Sequence, residues 1–217
     1  KRFGEGVIRA PYAMEPFSKE FCSGDLEFEP GTKMRYSNSG YYLLGVIIEY
    51  ATEYTYVEQL QNRILKPLDM NDTGYDDYES LPRRAAGYRK QYDYLVNAEY
   101  LDMSLPYAAG AMYSTVEDLY RWDQALYTDA VLSDEMKTIM YTPILNTYAL
   151  GWRVVEFTPE GTDLKRTSIG HGGGINGVTS QIIRVPEDRI LIVVLNNFTQ
   201  APSSQLANEI LKLMYAR

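Results

Sequence analysis

Two short segments of this 217-residue chain bring together residue types that can do chemistry. The first is Tyr36-Ser37-Asn38, which follows Gly31-Thr32-Lys33-Met34-Arg35 and leads into an apolar run. A tyrosine at the positive end of a helix dipole, close to a cationic side chain, can act as a general base. The Asn38 amide can both donate and accept. Taken alone, Tyr-x-Asn more often marks an aromatic staple beside an ordinary helix cap. The second segment is Ile169-Gly170-His171-Gly172-Gly173-Gly174, ahead of the strand-like run from 178 to 185. Glycines beside a strand let a substrate backbone come close, and their N–H groups can polarise a carbonyl. His171 can donate to a substrate carboxylate or carbonyl. Taken alone, a flexible glycine turn carrying a surface imidazole accounts for the segment slightly better.

Other chemistries find less support. His171 is the single histidine, which excludes a His-cluster zinc site. No cofactor motif is present. There is no Gly-x-Ser-x-Gly elbow, and nothing local supports a thiol pair between Cys22, the single cysteine, and His171. The acidic run Asp69, Asp72, Asp76 and Asp77 lacks EF-hand spacing and reads as a solvated turn. A net charge of −8 argues against nucleic acid or an anionic membrane as partner. No run is long and apolar enough to span a bilayer. With 45% hydrophobic and 13% aromatic residues the chain can bury a core, and its 20 tyrosines point to polar-lined clefts and half-buried surfaces.

The elements that must position these residues follow from periodicity and punctuation. Residues 1 to 35 lack a sustained period, and Pro11, Pro16, Gly24, Pro30 and Gly31 read as loop and turn. Ser37, Asn38 and Ser39 offer caps to a helix carrying Leu43, Leu44, Val46, Ile47, Ile48 and Ala51. It is apolar on nearly all sides and is expected to be central and buried, with Gly45 in close packing. The capping box Thr55-x-x-Glu58 opens a second helix that Pro67 stops. A small hairpin is expected near 85 to 96. Ser114-x-x-Glu117 opens a third helix, and a short fourth follows Ser133. Strands are expected at 148–157, 178–185 and 189–195, the last two joined by Pro186-Glu187-Asp188 and the last covered on both faces. A final helix carries a stripe of Leu206, Ile210, Leu213 and Met214. Helices followed by antiparallel strands and a covering helix predict a mixed α/β protein of the α+β type.

The two chemical segments and their surroundings together resemble one family. Phe28-Glu29-Pro30-Gly31-Thr32, Tyr36-Ser37-Asn38 and the run from Gly40 to Glu49 are similar to the serine β-lactamases and penicillin-binding proteins. Within these, the nearest branch is that of the class C β-lactamases, D-Ala-D-Ala carboxypeptidases and esterases. The likeness continues through Pro67-Leu68-Asp69-Met70-Asn71-Asp72-Thr73-Gly74, the stretch from Ala109 to Leu119, Gly151-Trp152, His171-Gly172-Gly173 and Asn196-Asn197. It runs from about Phe28 to the end of the sequence. It implies a β-lactamase/transpeptidase-like fold: one domain over 1–217, incomplete, with a mainly helical lobe at 36–145 and antiparallel strands plus the last helix at 146–217.

The resemblance also implies roles. Tyr36 takes the place of the tyrosine that assists proton transfer at the nucleophile, and Asn38 that of the asparagine contacting the substrate's amide. His171 stands where many members have the lysine of Lys-Thr-Gly and others a histidine. Gly172 replaces the threonine, so a hydroxyl that would greet a substrate carboxylate is missing, which shifts weight towards an esterase or unusual peptidase. Gly172, Gly173 and Gly174 form the substrate and oxyanion side. The family's nucleophile is the serine of Ser-x-x-Lys, and no serine of this chain has lysine three positions on. Ser80 comes nearest, but Ser80-Leu81-Pro82-Arg83 ends in arginine, which stays protonated and cannot act as a base. The chain is therefore expected to be a C-terminal portion of a serine hydrolase, inactive by itself. Its N-terminal strands and nucleophile helix would lie elsewhere. The intact enzyme would act on D-Ala-D-Ala peptides, β-lactams or small esters through an acyl-enzyme, without a cofactor, in the periplasm or outside the cell. The alternative is a non-catalytic domain that holds a peptide or partner in the same cleft. An incomplete sheet further predicts self-association through its exposed edge.

Overall fold

The structure, a computed structural model, describes residues 13–77 and 80–216. Of the loop and turn expected over 1–35, the part up to residue 12 lies outside them, and the part around Pro16 is corrected, since Met14–Phe21 forms a helix with Pro16 in its first turn, where a missing N–H costs nothing. In chain order the helices are α1 (Met14–Phe21), α2 (Asn38–Thr52), α3 (Tyr56–Leu60), α4 (Val116–Ala125), α5 (Asp134–Tyr141) and α6 (Ser203–Tyr215). The strands are β1 (Gly74–Tyr75), β2 (Tyr88–Gln91), β3 (Tyr94–Asn97), β4 (Met112–Tyr113), β5 (Arg153–Phe157), β6 (Arg166–Ile175), β7 (Val178–Val185) and β8 (Ile190–Asn196). The chain forms two compact units, one of residues up to 83 with 99–118, the other of 84–98 with 119 onward.

The first unit is helical and its core is aromatic. Ser37 caps α2, its hydroxyl accepting the Gly40 N–H at 3.1 Å. Phe17 stacks on Tyr42 with centroids 4.3 Å apart, and Tyr42 meets Tyr107 at 5.0 Å. Burial pushes the Tyr42 hydroxyl up to about 12, with the Cys22 thiol and the Glu49 carboxylate adding to it. Gly45 faces the 3₁₀ turn Tyr107–Ala109, and a Cβ there would stand 2.5 Å from both the Ala108 Cβ and the Tyr107 Cε1. Glu49 fastens this corner, its Oε1 accepting from the Tyr107 hydroxyl at 2.6 Å and the Tyr56 N–H at 2.8 Å.

Three expectations for this unit are corrected. Within α2 only Tyr42 and Gly45 are buried, while Leu44, Ile47 and Ile48 are 48%, 57% and 37% exposed. A helix apolar all round needs neighbours all round, and here α1, α3 and the 3₁₀ turn meet one side of it. The cap of α4 falls one residue later than the Ser114 box. The Thr115 hydroxyl accepts the Asp118 N–H at 3.3 Å, and the Ser114 hydroxyl is engaged with Thr73 at 2.7 Å. Asp118, fully buried, accepts from the Asp72 N–H and the Thr73 hydroxyl, both at 2.8 Å. The acidic turn is not wholly solvated, since Asp76 is 6% exposed. The Thr55–Glu58 capping box forms as expected.

The second unit is a four-stranded antiparallel sheet in the order β5-β6-β7-β8, with the β2–β3 hairpin paired separately. Ile183, Val185, Ile192 and Val194 pack against Ala207 and Leu211 of α6. Leu126, Trp152 and Ile169 form a further cluster. The buried stripe of α6 is therefore Ser203, Ala207 and Leu211, whereas Leu206, Leu213 and Met214 of the expected stripe are 47%, 72% and 53% exposed. Small residues let the helix lie close on the sheet, and closeness outweighs side-chain size in choosing the face. In β8, Ile192 and Val194 are buried but Leu195 is 42% exposed, so the strand alternates rather than being covered on both faces. β5 starts at Arg153 instead of Tyr148. The residues before it turn twice, through Asn146 at φ 56° and Gly151 at φ 79°.

Candidate active site

Tyr36 lies immediately before the Ser37 cap of α2 and is 51% exposed. Asn38 is the first residue of α2 and is exposed. The two thus flank the cap at the helix N-terminus, where the N–H groups of the first turn are available to polar ligands. An ion pair between Arg35 and Glu27 anchors the preceding loop. Tyr36 and Asn38 belong to the first unit, and His171 to Gly174 belong to the second.

The glycine-rich segment is a strand, not a turn: β6 runs unbroken from Arg166 to Ile175 and carries His171, Gly172, Gly173 and Gly174 in register opposite Ile182, Gln181, Ser180 and Thr179 of β7. On its other side β5 accompanies it only as far as Gly170, which pairs with Arg153. From His171 to Ile175 no strand of this unit pairs with the outer edge of β6 among the described residues. Gly172, Gly173 and Gly174 are exposed there. A Cβ on Gly172 would meet the Gln181 Oε1 at 2.8 Å and one on Gly173 the Ser180 Oγ at 2.5 Å, while Gly174 has nothing within 4 Å. An edge of this kind can receive an extended peptide backbone.

The His171 imidazole is held at both nitrogens. Its Nδ1 lies 2.7 Å from the Gly172 carbonyl and its Nε2 2.7 Å from the Tyr148 hydroxyl. The two rings meet edge to face, 5.8 Å apart at 78°. By sequence alone Tyr148 is the first residue of an expected strand, a position that by itself carries no sign of a role at the site. The sequence signal was its place just ahead of Gly151-Trp152, together with the presence of a single histidine needing a partner. Among the described residues no three His, Cys, Asp or Glu side chains are grouped to hold a metal, and no helix is long and apolar enough to cross a membrane.

Comparison with known proteins identifies the family. The chain is 33% identical over 191 residues to penicillin-binding protein 4* of Bacillus subtilis (strain 168), covering 78% of this chain and 41% of that protein. It is 33% identical over 197 residues to the mitochondrial serine beta-lactamase-like protein LACTB of Mus musculus, covering 77% of this chain and 35% of that protein. The chain thus spans about two-fifths of the length of these curated relatives. Among solved structures, the octameric penicillin-binding protein homologue from Pyrococcus abyssi superimposes with a TM-score of 0.78 at 27% identity, over 92% of this chain and 46% of that one. The D-amino acid amidase from Ochrobactrum anthropi SV3, complexed with L-phenylalanine amide, gives 0.78 at 25% identity, over 95% and 63%. The family model described as Beta-lactamase matches residues 3–215, and the chain belongs to the Beta-lactamase family.

Proposed function

We propose that this chain is part of a serine hydrolase that works through an acyl-enzyme. In the first unit, Tyr36 and Asn38 carry the residue types for proton transfer and for contact with a substrate amide; in the second unit, β6 from His171 to Gly174 offers an edge to an extended substrate backbone. The observation that carries the reading is the open, glycine-lined outer edge of β6 with a histidine at its start. Small D-configured amides and peptides, including D-Ala-D-Ala termini, are the substrate class, with β-lactams and small esters as related acyl donors. The likeness to the D-amino acid amidase from Ochrobactrum anthropi SV3 supports this choice. So does Gly172, which places no threonine-like hydroxyl opposite a substrate carboxylate and so relaxes the demand for one.

The nucleophile comes from outside these residues, because no serine in the sequence has a lysine three positions on. The chain by itself is then inert. The test is labelling with a fluorescent penicillin and turnover of a D-alanine anilide, first on this chain and then on the full coding sequence of its gene. Labelling only of the product that contains Ser-x-x-Lys supports the proposal. Covalent labelling of this chain alone overturns it. Saturable peptide binding without labelling of either product identifies a non-catalytic binding domain instead.

A further inference from the structure

We infer that Tyr148 is a positioning residue for His171, locking its imidazole into the tautomer with hydrogen on Nδ1. The inference rests on the reading of His171 as part of the substrate edge, but its geometry stands independently of that reading. A backbone carbonyl can only accept, so the contact between Nδ1 and the Gly172 oxygen at 2.7 Å requires the hydrogen on Nδ1. In the neutral ring Nε2 then holds a lone pair, and the Tyr148 hydroxyl at 2.7 Å is its donor. The ring therefore cannot flip without breaking both contacts.

Tyr148 is itself rigidly placed. It bridges Arg153, the first residue of β5, which in turn pairs with Gly170 beside His171. The Tyr148 N–H donates to the Leu145 carbonyl at 3.3 Å, and its carbonyl accepts from the Ile144 N–H at 3.4 Å. On either side, the Val154 N–H donates to the Thr147 carbonyl and the Ala149 N–H to the Trp152 carbonyl, both at 2.8 Å. The double turn that displaces residues 148–152 from the expected strand is what brings the phenol over the imidazole. The consequence for specificity is direct: with Nε2 accepting, a neutral His171 has no N–H left to offer a substrate carboxylate. Nor has the Tyr148 hydroxyl a hydrogen to offer, since its single one goes to Nε2.

The single histidine makes the test unambiguous, since a ¹⁵N-labelled chain has one imidazole to observe. Long-range ¹H–¹⁵N correlation on the neutral ring is expected to show a protonated Nδ1 and an unprotonated, hydrogen-bonded Nε2. In Tyr148→Phe, loss of the donor should move the Nε2 resonance towards a free lone pair and shift the tautomer ratio towards Nε2–H by about fivefold. A wild-type ring protonated on Nε2, or a spectrum unchanged by Tyr148→Phe, overturns the inference; the wild-type spectrum alone decides should the variant fold poorly. A separate arm concerns the site reading. In the product carrying Ser-x-x-Lys, Tyr148→Phe should raise KM for a D-amide more than it lowers kcat. If the tautomer is as stated but neither Tyr148→Phe nor His171→Ala changes acylation, the substrate-edge reading fails and the positioning of His171 by Tyr148 stands.

Discussion

Arg184 is 1% exposed, and each arm of its guanidinium has a partner. Nε donates to the Asp123 Oδ1 at 2.8 Å, Nη1 to the Tyr141 hydroxyl at 2.7 Å and Nη2 to the Asp123 carbonyl at 3.4 Å, while the group lies 4.8 Å from the Tyr127 ring centroid. A buried pair of this kind contributes little net stability against an apolar replacement of both partners, but breaking it strands a charge. Arg184→Met is therefore expected to cost about 3–5 kcal/mol by leaving Asp123 uncompensated, read as a lowered urea midpoint. Arg184→Lys should fall between, since a point charge cannot reproduce the fork. Nothing in the sequence announced this pair. Its members stand 61 positions apart, whereas the caps Ser37, Thr55 and Ser133 were legible because each acts within three residues of itself. The same distinction runs through the site. Tyr36-Ser37-Asn38 was readable as a local motif at a helix start, and the contact between His171 and Tyr148, 23 positions apart, was not.

At the scale of elements, local chemistry predicts well and packing decides the rest. The Glu58 carboxyl in the α3 capping box is held below its ordinary value, chiefly by the Thr55 backbone N–H and then by the Thr55 hydroxyl. A lowered folded-state value means that the stabilisation is present above the unfolded carboxyl's range and is lost as pH falls through the folded one. Glu58→Gln keeps an acceptor without a titration, so urea titrations from neutral pH down to about pH 3 should show a flatter acid limb for the variant. Gly45 and Gly174 make a matched test of close approach. Alanine in a helix normally gains about 1 kcal/mol over glycine. At position 45, however, the new methyl would lie 2.5 Å from Ala108 and Tyr107, and overpacking costs roughly 1–3 kcal/mol. Gly45→Ala should be destabilising in thermal melts, and Gly174→Ala, with open space around it, should melt as the wild type does. β6 was illegible as a strand because three consecutive glycines carry no side-chain period. Its register comes from β7, whose strand character was legible from 178 to 185. The buried faces of α2 and α6 are not legible in the sequence for a related reason. Periodicity shows that an apolar face exists, but the neighbour that selects it can prefer glycine, alanine and serine at the contact.

For the molecule as a whole, the sheet poses the remaining physical question. β8 stands last in the order β5-β6-β7-β8, and among the described residues no strand pairs with its outer edge. A seven-residue strand with an open edge and a 42%-exposed leucine at position 195 is a template for another strand. Around it the chain exposes Leu206, Leu213 and Met214 of α6. In the first unit, Leu44 and Ile47 of α2 are likewise exposed. The net charge of −8 opposes association at long range, but screening confines that repulsion to about 10 Å at moderate salt. Backbone pairing and apolar burial act at contact and are not screened. Self-association should therefore strengthen as salt is added, the reverse of what an ion-paired interface would show. Light scattering on the size-exclusion peak of this chain at micromolar concentration is expected to give a mass above that of one copy, rising with ionic strength. Leu195→Lys, which puts a charge on the open strand, should return the mass towards a single copy without changing the circular dichroism. A stable monomer at high salt would show that the outer edge of β8 is not available for pairing, and a salt-weakened oligomer would place the contact on charged surface instead.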